Sequence, residues 1–191
     1  MAEVQTIAVI GAGPVGRGIA QLAALGGYRT ILEDLLPNAL RRAESEIRIQ
    51  LDRAVDSGAV TAEAAHAAFS RLEFADSVEE AARPADLVIE AVPEELESKI
   101  EIFTLLDKIC RPGTILASHL SFLSITEISR VTYRARNCLG MRFAQPLDRE
   151  PRLEIIRGQE TDEATLAAAL EVGRRMGKEV AVVNDADVSQ A

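Results

Sequence analysis

No six residues constrain this chain more than Gly11-Ala12-Gly13-Pro14-Val15-Gly16. They follow the apolar, β-branched run Val4–Ile10 and open a helical pattern over Pro14–Leu25, after which a second run, Arg29–Glu33, ends against Asp34. Each glycine has its own task in a strand–turn–helix unit. Gly11 permits a tight turn, Gly13 lets the backbone approach a pyrophosphate, and Gly16 allows helix and strand to pack closely. The helix start offers unpaired N–H groups and partial positive charge to phosphates. A carboxylate at Asp34, 18 residues past Gly16, is placed to accept from ribose hydroxyls. The pattern therefore predicts a dinucleotide site built from Gly11, Ala12, Gly13, Pro14, Val15, Gly16 and Asp34. Its competitor is a glycine-rich βα turn without a ligand. Asp34 would repel a 2′-phosphate, so NAD is expected over NADP, with Arg29 the one nearby residue arguing otherwise. Glu33 should point to the opposite side of the strand as a structural residue.

The remaining sequence alternates strand and helix patterns. Further strands are expected at about 72–75, 86–91, 114–118, 137–143, 153–157 and 179–183, and helices at about 37–56, 62–69, 95–110, 125–130 and 162–176. Ser124 with Glu127 fits a capping box, Thr161 suits a helix start, and Gly177 a helix stop. Short apolar strands between helices imply an α/β fold of the Rossmann type: a mostly parallel sheet flanked by helices. The patterns at 37–56 and 62–69 form an inserted helical hairpin, expected to lean out from the sheet. One domain over 1–186 and a tail over 187–191 is the economical division.

Composition excludes several classes. The 191 residues are 48% hydrophobic and 27% charged, as in globular proteins. A net charge of −9 with no overall basic face argues against nucleic-acid or anionic-membrane partners. No stretch reads as a targeting or membrane segment. Cys110 and Cys138 are too few for a disulfide scaffold or zinc cage, so no metal is expected and a reducing cytoplasm is the expected compartment.

Four segments then occur in a telling order: IAVIGAGPVGRGIAQ, ADLVIEAVPEELESKIEIF, ILASHLSFLSITEI, and GMRFAQP followed by LEIIRG. From Ile7 to Val183 the chain resembles the N-terminal domain of the NAD-dependent 3-hydroxyacyl-CoA dehydrogenases. The resemblance implies NAD as cofactor, an acyl-CoA substrate, and cofactor contacts from Ala91, Glu94, Lys99 and Ser121. For Glu94 and Lys99 the competing reading is a solvated charge pair at a helix start, and for Ser121 a loop serine. Ser121 also matches a serine that touches substrate.

The catalytic part departs from the family. Where the resemblance implies a histidine base in GxHFxNP, this chain has Arg142, and Gln145 replaces the asparagine. Glu154 remains at the position of the base's partner. A guanidinium stays charged at neutral pH and accepts no proton. Ser121, Arg142 and Glu154 are thus the candidate catalytic set, with Arg142 as an electrostatic group or one half of a structural ion pair. His119, replacing a loop asparagine, is a candidate substitute base. The family's serine and lysine contacts to CoA match Gln50 and Ser57.

Seven arginines from Arg130 to Arg157 face only Asp148, Glu150 and Glu154 in the same stretch. They form either a surface for an anionic partner or a solvated edge. The family's helical C-terminal domain has no counterpart in these residues, which leaves a homodimer or a partner polypeptide supplying that domain as the expected arrangements. Two functional readings follow: a 3-hydroxyacyl-CoA dehydrogenase with an altered catalytic residue, or a non-catalytic NAD(H)-binding sensor or regulatory subunit.

Overall fold

The computed structural model describes residues 3–188. Its elements are β1 (Thr6–Ile10), α1 (Pro14–Leu25), β2 (Arg29–Glu33), α2 (Pro37–Asp56), α3 (Ala62–Phe69), β3 (Leu72–Ala75), α4 (Val78–Ala82) and β4 (Leu87–Glu90). There follow α5 (Leu96–Ile109), β5 (Ile115–His119), α6 (Ile125–Ser129), β6 (Cys138–Phe143), β7 (Arg152–Arg157), α7 (Glu163–Arg175), β8 (Glu179–Asn184) and α8 (Asp185–Val188). The strands form one sheet in the order β3-β2-β1-β4-β5-β6-β7-β8. All neighbours pair in parallel except β6 and β7, which are antiparallel. This is a Rossmann-type sheet with its direction reversed at one edge.

Alternation within strands divides the core into two layers. Val9, Leu32, Ile89, Ala117, Met141 and Ile155 face α1, α2 and α7. Ala8, Ile31, Val88, Leu116, Cys138 and Ile156 face α4, α5 and α6. Burial on both sides explains the nearly continuous apolar strands. The hairpin of α2 and α3 does not lean away freely. Leu40, Ala43, Ile47 and Leu51 lie on one helical stripe and are buried in the first layer.

Three local expectations change. α4 falls in a stretch read as irregular; Ser77 caps it by accepting from the N–H of Glu80. Asp162, not Thr161, caps α7, because the Thr161 hydroxyl is buried and donates to the Cys138 carbonyl at 2.6 Å. At α6 the Ser124 hydroxyl does accept from Glu127 N–H, and Asp185 of α8 accepts from Ser124 Oγ and from the N–H groups of Ile125 and Thr126. The segment expected as a tail therefore begins with the end of a helical turn, and residues 189–191 lie outside the described ones. Gly177, with φ +77°, ends α7 as expected. Among the described residues no helix is long and apolar enough to cross a membrane.

Candidate cofactor and catalytic site

The glycine loop crosses the C-terminal ends of β1 and β2. Gly11 has φ +100°, and its N–H donates to the Glu33 carbonyl at 2.9 Å. A Cβ on Gly16 would lie 1.8 Å from the Gly11 carbonyl oxygen, so only glycine closes this turn. Around Gly13 the corresponding space is open, nothing lying within 4 Å. Pro14 opens α1, whose N-cap makes no side-chain hydrogen bond and whose first turn holds no acid. The helix N-terminus is thus left electropositive and uncapped beside an open space, which suits a pyrophosphate.

Asp34 closes the other side. Its Oδ2 accepts from Ala12 N–H at 3.0 Å and its Oδ1 from Leu36 N–H at 2.9 Å. The carboxylate is fixed beside the loop with further acceptor capacity on each oxygen. Arg29 cannot contest the preference for NAD. It pairs bidentately with Glu73 at the opposite end of β2, at 2.7 and 2.8 Å. Glu33 lies on the second face with Ile31, buried, its Oε1 without a partner. Burial, together with the charges of Asp34 and Asp76, pushes its carboxyl up to about 7 against the pull of the Gly11 N–H. These features fit a dinucleotide at residues 11–16 and Asp34.

The segments following β4 and β5 bring the other expected residues together. The Ala91 N–H donates to Ile10 O at 2.8 Å, and its carbonyl lies 3.1 Å from where a Gly11 Cβ would stand. Glu94 Oε1 accepts from the backbone N–H groups of Ser121, Phe122 and Leu123 at 2.6, 2.8 and 3.3 Å. Burial alone would raise the Glu94 carboxyl; the hydrogen bonds from Phe122, Ser121 and Leu123 outweigh it and hold the group below its usual range.

Lys99 is placed differently from its expected contact. Its side chain is 0% exposed, and its ammonium bonds both Glu90 carboxylate oxygens at 2.8 and 3.0 Å and the His119 carbonyl at 3.0 Å. It lies beneath the site surface, and its partner is Glu90, not Glu94. Glu90 Oε1 also accepts from Val92 N–H at 2.7 Å, and Oε2 from the Ser118 hydroxyl at 2.5 Å. All four contacts to Glu90 are donors, so the site is built for a carboxylate. Neither Glu90 nor Ser118 was singled out from the sequence. The only signal was an acid ending an otherwise apolar strand.

Arg142 and Glu154, expected as part of a catalytic set, stand opposite each other across the antiparallel β6–β7 pair. Arg142 Nε donates to Glu154 Oε2 at 2.6 Å, Nη2 lies 2.5 Å from the same oxygen in an ion pair, and Nη1 donates to the Ser121 carbonyl at 3.0 Å. Both side chains are about one-third exposed (30% and 32%). The guanidinium therefore joins Glu154 to the backbone carbonyl of Ser121, whose side chain bonds Glu94 instead.

His119 does not join the Arg142–Glu154 pair. Its register partner is Met141, a residue of the first core layer, whereas Arg142 alternates to the other face. Its Nδ1 lies 3.1 Å from the Met141 carbonyl, which only accepts, so Nδ1 carries the hydrogen. Its ring stands 6.1 Å from that of Phe143. Burial, assisted by the Lys99 charge, keeps it below the usual histidine range despite Met141 O and Glu94. Nor do the seven arginines form one site. Arg134 pairs with Asp107 and binds the carbonyls of Asp107, Cys110 and Arg111; Arg157 pairs with Glu163, and Arg149 with Asp148.

A cleft of about 580 Å³ runs between α1, α2 and the β6–β7 connection. Pro14 lies at its edge nearest the glycine loop, and Arg17, Gln50, Arg53, Ser57 and Arg149 line it. Among the described residues, no group of three His, Cys, Asp or Glu side chains is placed to hold a metal ion.

Fold and site together define a dinucleotide-binding domain of the Rossmann class. Residues 6–186 match the model of the family described as 3-hydroxyacyl-CoA dehydrogenase, NAD binding domain, and the chain belongs to that family. It is 39% identical over 183 residues to a probable 3-hydroxybutyryl-CoA dehydrogenase of Bacillus subtilis, covering 96% of this chain and 63% of that protein. A 3-hydroxybutyryl-CoA dehydrogenase of Bradyrhizobium diazoefficiens is 38% identical, with 96% and 62% covered. The crystal structure of 3-hydroxybutyryl-CoA dehydrogenase from Escherichia coli K12 superposes with a TM-score of 0.92 at 34% identity, covering 96% of this chain and 39% of that one. The chain thus spans less than two thirds of the length of these relatives.

Proposed function

We propose that this chain is the nucleotide-binding half of an oxidoreductase interconverting (S)-3-hydroxyacyl-CoA and 3-oxoacyl-CoA, with Arg142 in place of the base. The observation that carries this reading is the Arg142–Glu154 pair bonded to the Ser121 carbonyl, on the segment that Glu94 also holds. The first-turn amides of α1 would hold the pyrophosphate, Asp34 the adenosine ribose, and Ser121 the nicotinamide ribose and substrate oxygen. NAD supplies hydride acceptance and, when reduced, hydride donation.

Nε and Nη1 of Arg142 donate to Glu154 and to the Ser121 carbonyl, and the guanidinium has further N–H donors for a substrate oxygen. Arg142 would polarise a ketone and stabilise an alkoxide, and Glu154 holds it in place. Since a guanidinium neither accepts nor delivers a proton at neutral pH, both directions lose the general acid–base contribution, and the hydroxyl proton must be exchanged with water. The cleft lined by Gln50 and Ser57 would take the CoA, with Arg17, Arg53 and Arg149 supplying the positive charge that a lysine supplies in the family. A partner polypeptide or a second copy would complete the site. Two buried free cysteines support a cytoplasmic location.

One observation favours the second reading, a non-catalytic NAD(H)-binding sensor or regulatory subunit. Arg142 binds Glu154 and the Ser121 carbonyl within the chain itself, as a structural ion pair does. NADH oxidation by acetoacetyl-CoA separates the two. Turnover that disappears in Arg142→Ala supports the dehydrogenase, and NADH binding without turnover supports the sensor. Asp34→Ala should weaken NADH binding about 10- to 100-fold in a calorimetric titration, the loss of a charged hydrogen-bond acceptor. Absence of NADH binding to the intact chain would sink both readings.

A further inference from the structure

The Glu90–Lys99 pair is the one ion pair in the described residues with both side chains completely shielded, at 0% exposure. A buried pair is expensive to assemble, and apolar residues of similar shape often serve stability as well or better. What it does here is read from its other contacts. Glu90 ends β4, Ser118 is its register partner on β5, and Lys99 reaches up from the second turn of α5. The ammonium binds the carbonyl of His119, where the chain leaves β5, and lies 3.5 Å from that of Val92, where it leaves β4. The Glu90 carboxylate holds the Val92 N–H and the Ser118 hydroxyl. One buried charge pair therefore fixes the backbone of both segments, 91–94 and 119–121. Above it, Glu94 ties the same two segments a second time through the N–H groups of residues 121–123.

These segments lie on the β4–β5 side of the glycine loop, beyond the point where strand order reverses between β1 and β4. In an open α/β sheet the dinucleotide crosses at that reversal, with its adenosine on the β2 side. The segments held by Lys99 thus belong to the nicotinamide half, and those held by Asp34 to the adenosine half.

We propose that Glu90 and Lys99 are positioning residues for the nicotinamide half of the dinucleotide, acting through the backbone at Val92 and His119 without touching the cofactor. This rests on the reading of the chain as an NAD-binding domain. The direct route is closed because Lys99 has no exposed surface; the indirect one runs through bonds of 2.5–3.5 Å that join two loops to one hub. A hub of this kind should matter to a ligand that contacts both loops and not to one that contacts only the adenosine end.

The test uses the full 191-residue chain and two ligands, NADH and ADP-ribose, the latter lacking nicotinamide. Calorimetric dissociation constants are compared for the unmodified protein, Lys99→Met, Glu90→Gln, and the Glu90→Gln, Lys99→Met double variant. NADH binding should weaken about tenfold in the variants, the equivalent of one well-made hydrogen bond, while ADP-ribose stays within about twofold. The double variant leaves no unpaired buried charge and should keep its melting temperature, so it reports on binding even where a single variant fails to fold. A double variant that binds NADH like the unmodified chain overturns the proposal, as does equal weakening for both ligands, which marks the pair as merely structural. Failure of the unmodified chain to bind NADH overturns the cofactor reading, and this proposal with it. Binding of NADH with no split between the ligands overturns the proposal alone.

Discussion

Two ion pairs in the same sheet have the same chemical composition, a carboxylate and a cation, and opposite physical settings. Glu90 and Lys99 are sealed between β4, β5 and α5 with every polar atom answered by a partner. Arg142 and Glu154 sit two strands away at about one-third exposure, where water competes for each contact. Exposed pairs contribute about 0–1 kcal/mol, whereas removing one member of a buried pair costs about 3–5 kcal/mol, because the survivor is left charged and dry. The first pair is therefore committed to the architecture of the segments that follow β4 and β5. The second is free to be exchanged for other chemistry with little structural penalty.

That contrast is sharpened most by restoring the expected residues at the exposed pair. On the dehydrogenase reading, Arg142→His with Gln145→Asn should raise hydroxyl oxidation by about 10²- to 10⁴-fold, the usual contribution of a general base, measured as NADH formation from a 3-hydroxyacyl-CoA. Unchanged rates would show that Arg142 already performs the step or that the site lacks a further part. Next in size, Lys99→Met should lower the unfolding free energy by about 3–5 kcal/mol in urea titrations, while Glu90→Gln, Lys99→Met recovers most of it. A Lys99→Met protein as stable as the parent would break the comparison at its buried end.

A further buried carboxyl, Glu33, has no cation, and pH exposes the difference. Its folded value of about 7 lies above the ordinary 4.5, so the folded state binds the extra proton between them. The associated stability is complete below about 4.5 and declines as pH rises through about 7, opposite in sign to a salt-bridged acid. Glu33→Gln should flatten the melting-temperature profile between pH 5 and pH 8, an effect on the order of 2–3 kcal/mol at the alkaline end. A profile as steep as the parent's would refute the assignment. Smallest of all, Arg142→Ala should change unfolding free energy by less than about 1 kcal/mol. A larger loss would mean that the Arg142 clamp on Ser121 O is a structural brace and not a replaceable contact.

Much of the fold was legible because it depends on neighbours along the chain. The strand runs, the hairpin of α2 and α3, the C′ role of Gly177 and the mostly parallel sheet all follow from periodicity and turn chemistry. The reversal at β6–β7 was not, since a doubly buried strand has the same apolar pattern whichever way it runs. α4 was missed because five residues offer too little periodicity to register, although Ser77 and Glu80 carry its cap.

The site divides in the same way. Within it, the tight turn at Gly11 and Gly16 and the place of Asp34 beside it could be read directly, because such a turn is a local backbone event followed by one strand-end acid. The inability of Arg142 to act as a base was equally plain, being a property of guanidinium itself. Only the tertiary structure decided that Lys99 answers Glu90 beneath the surface, that His119 turns to the face opposite Arg142, and that Arg134, Arg142, Arg149 and Arg157 each pair with a different acid. The reason is physical: a charge taken out of water must be met by whatever the packed strands and helices bring within about 3 Å. That partner is set by register and crossover, which no local pattern encodes.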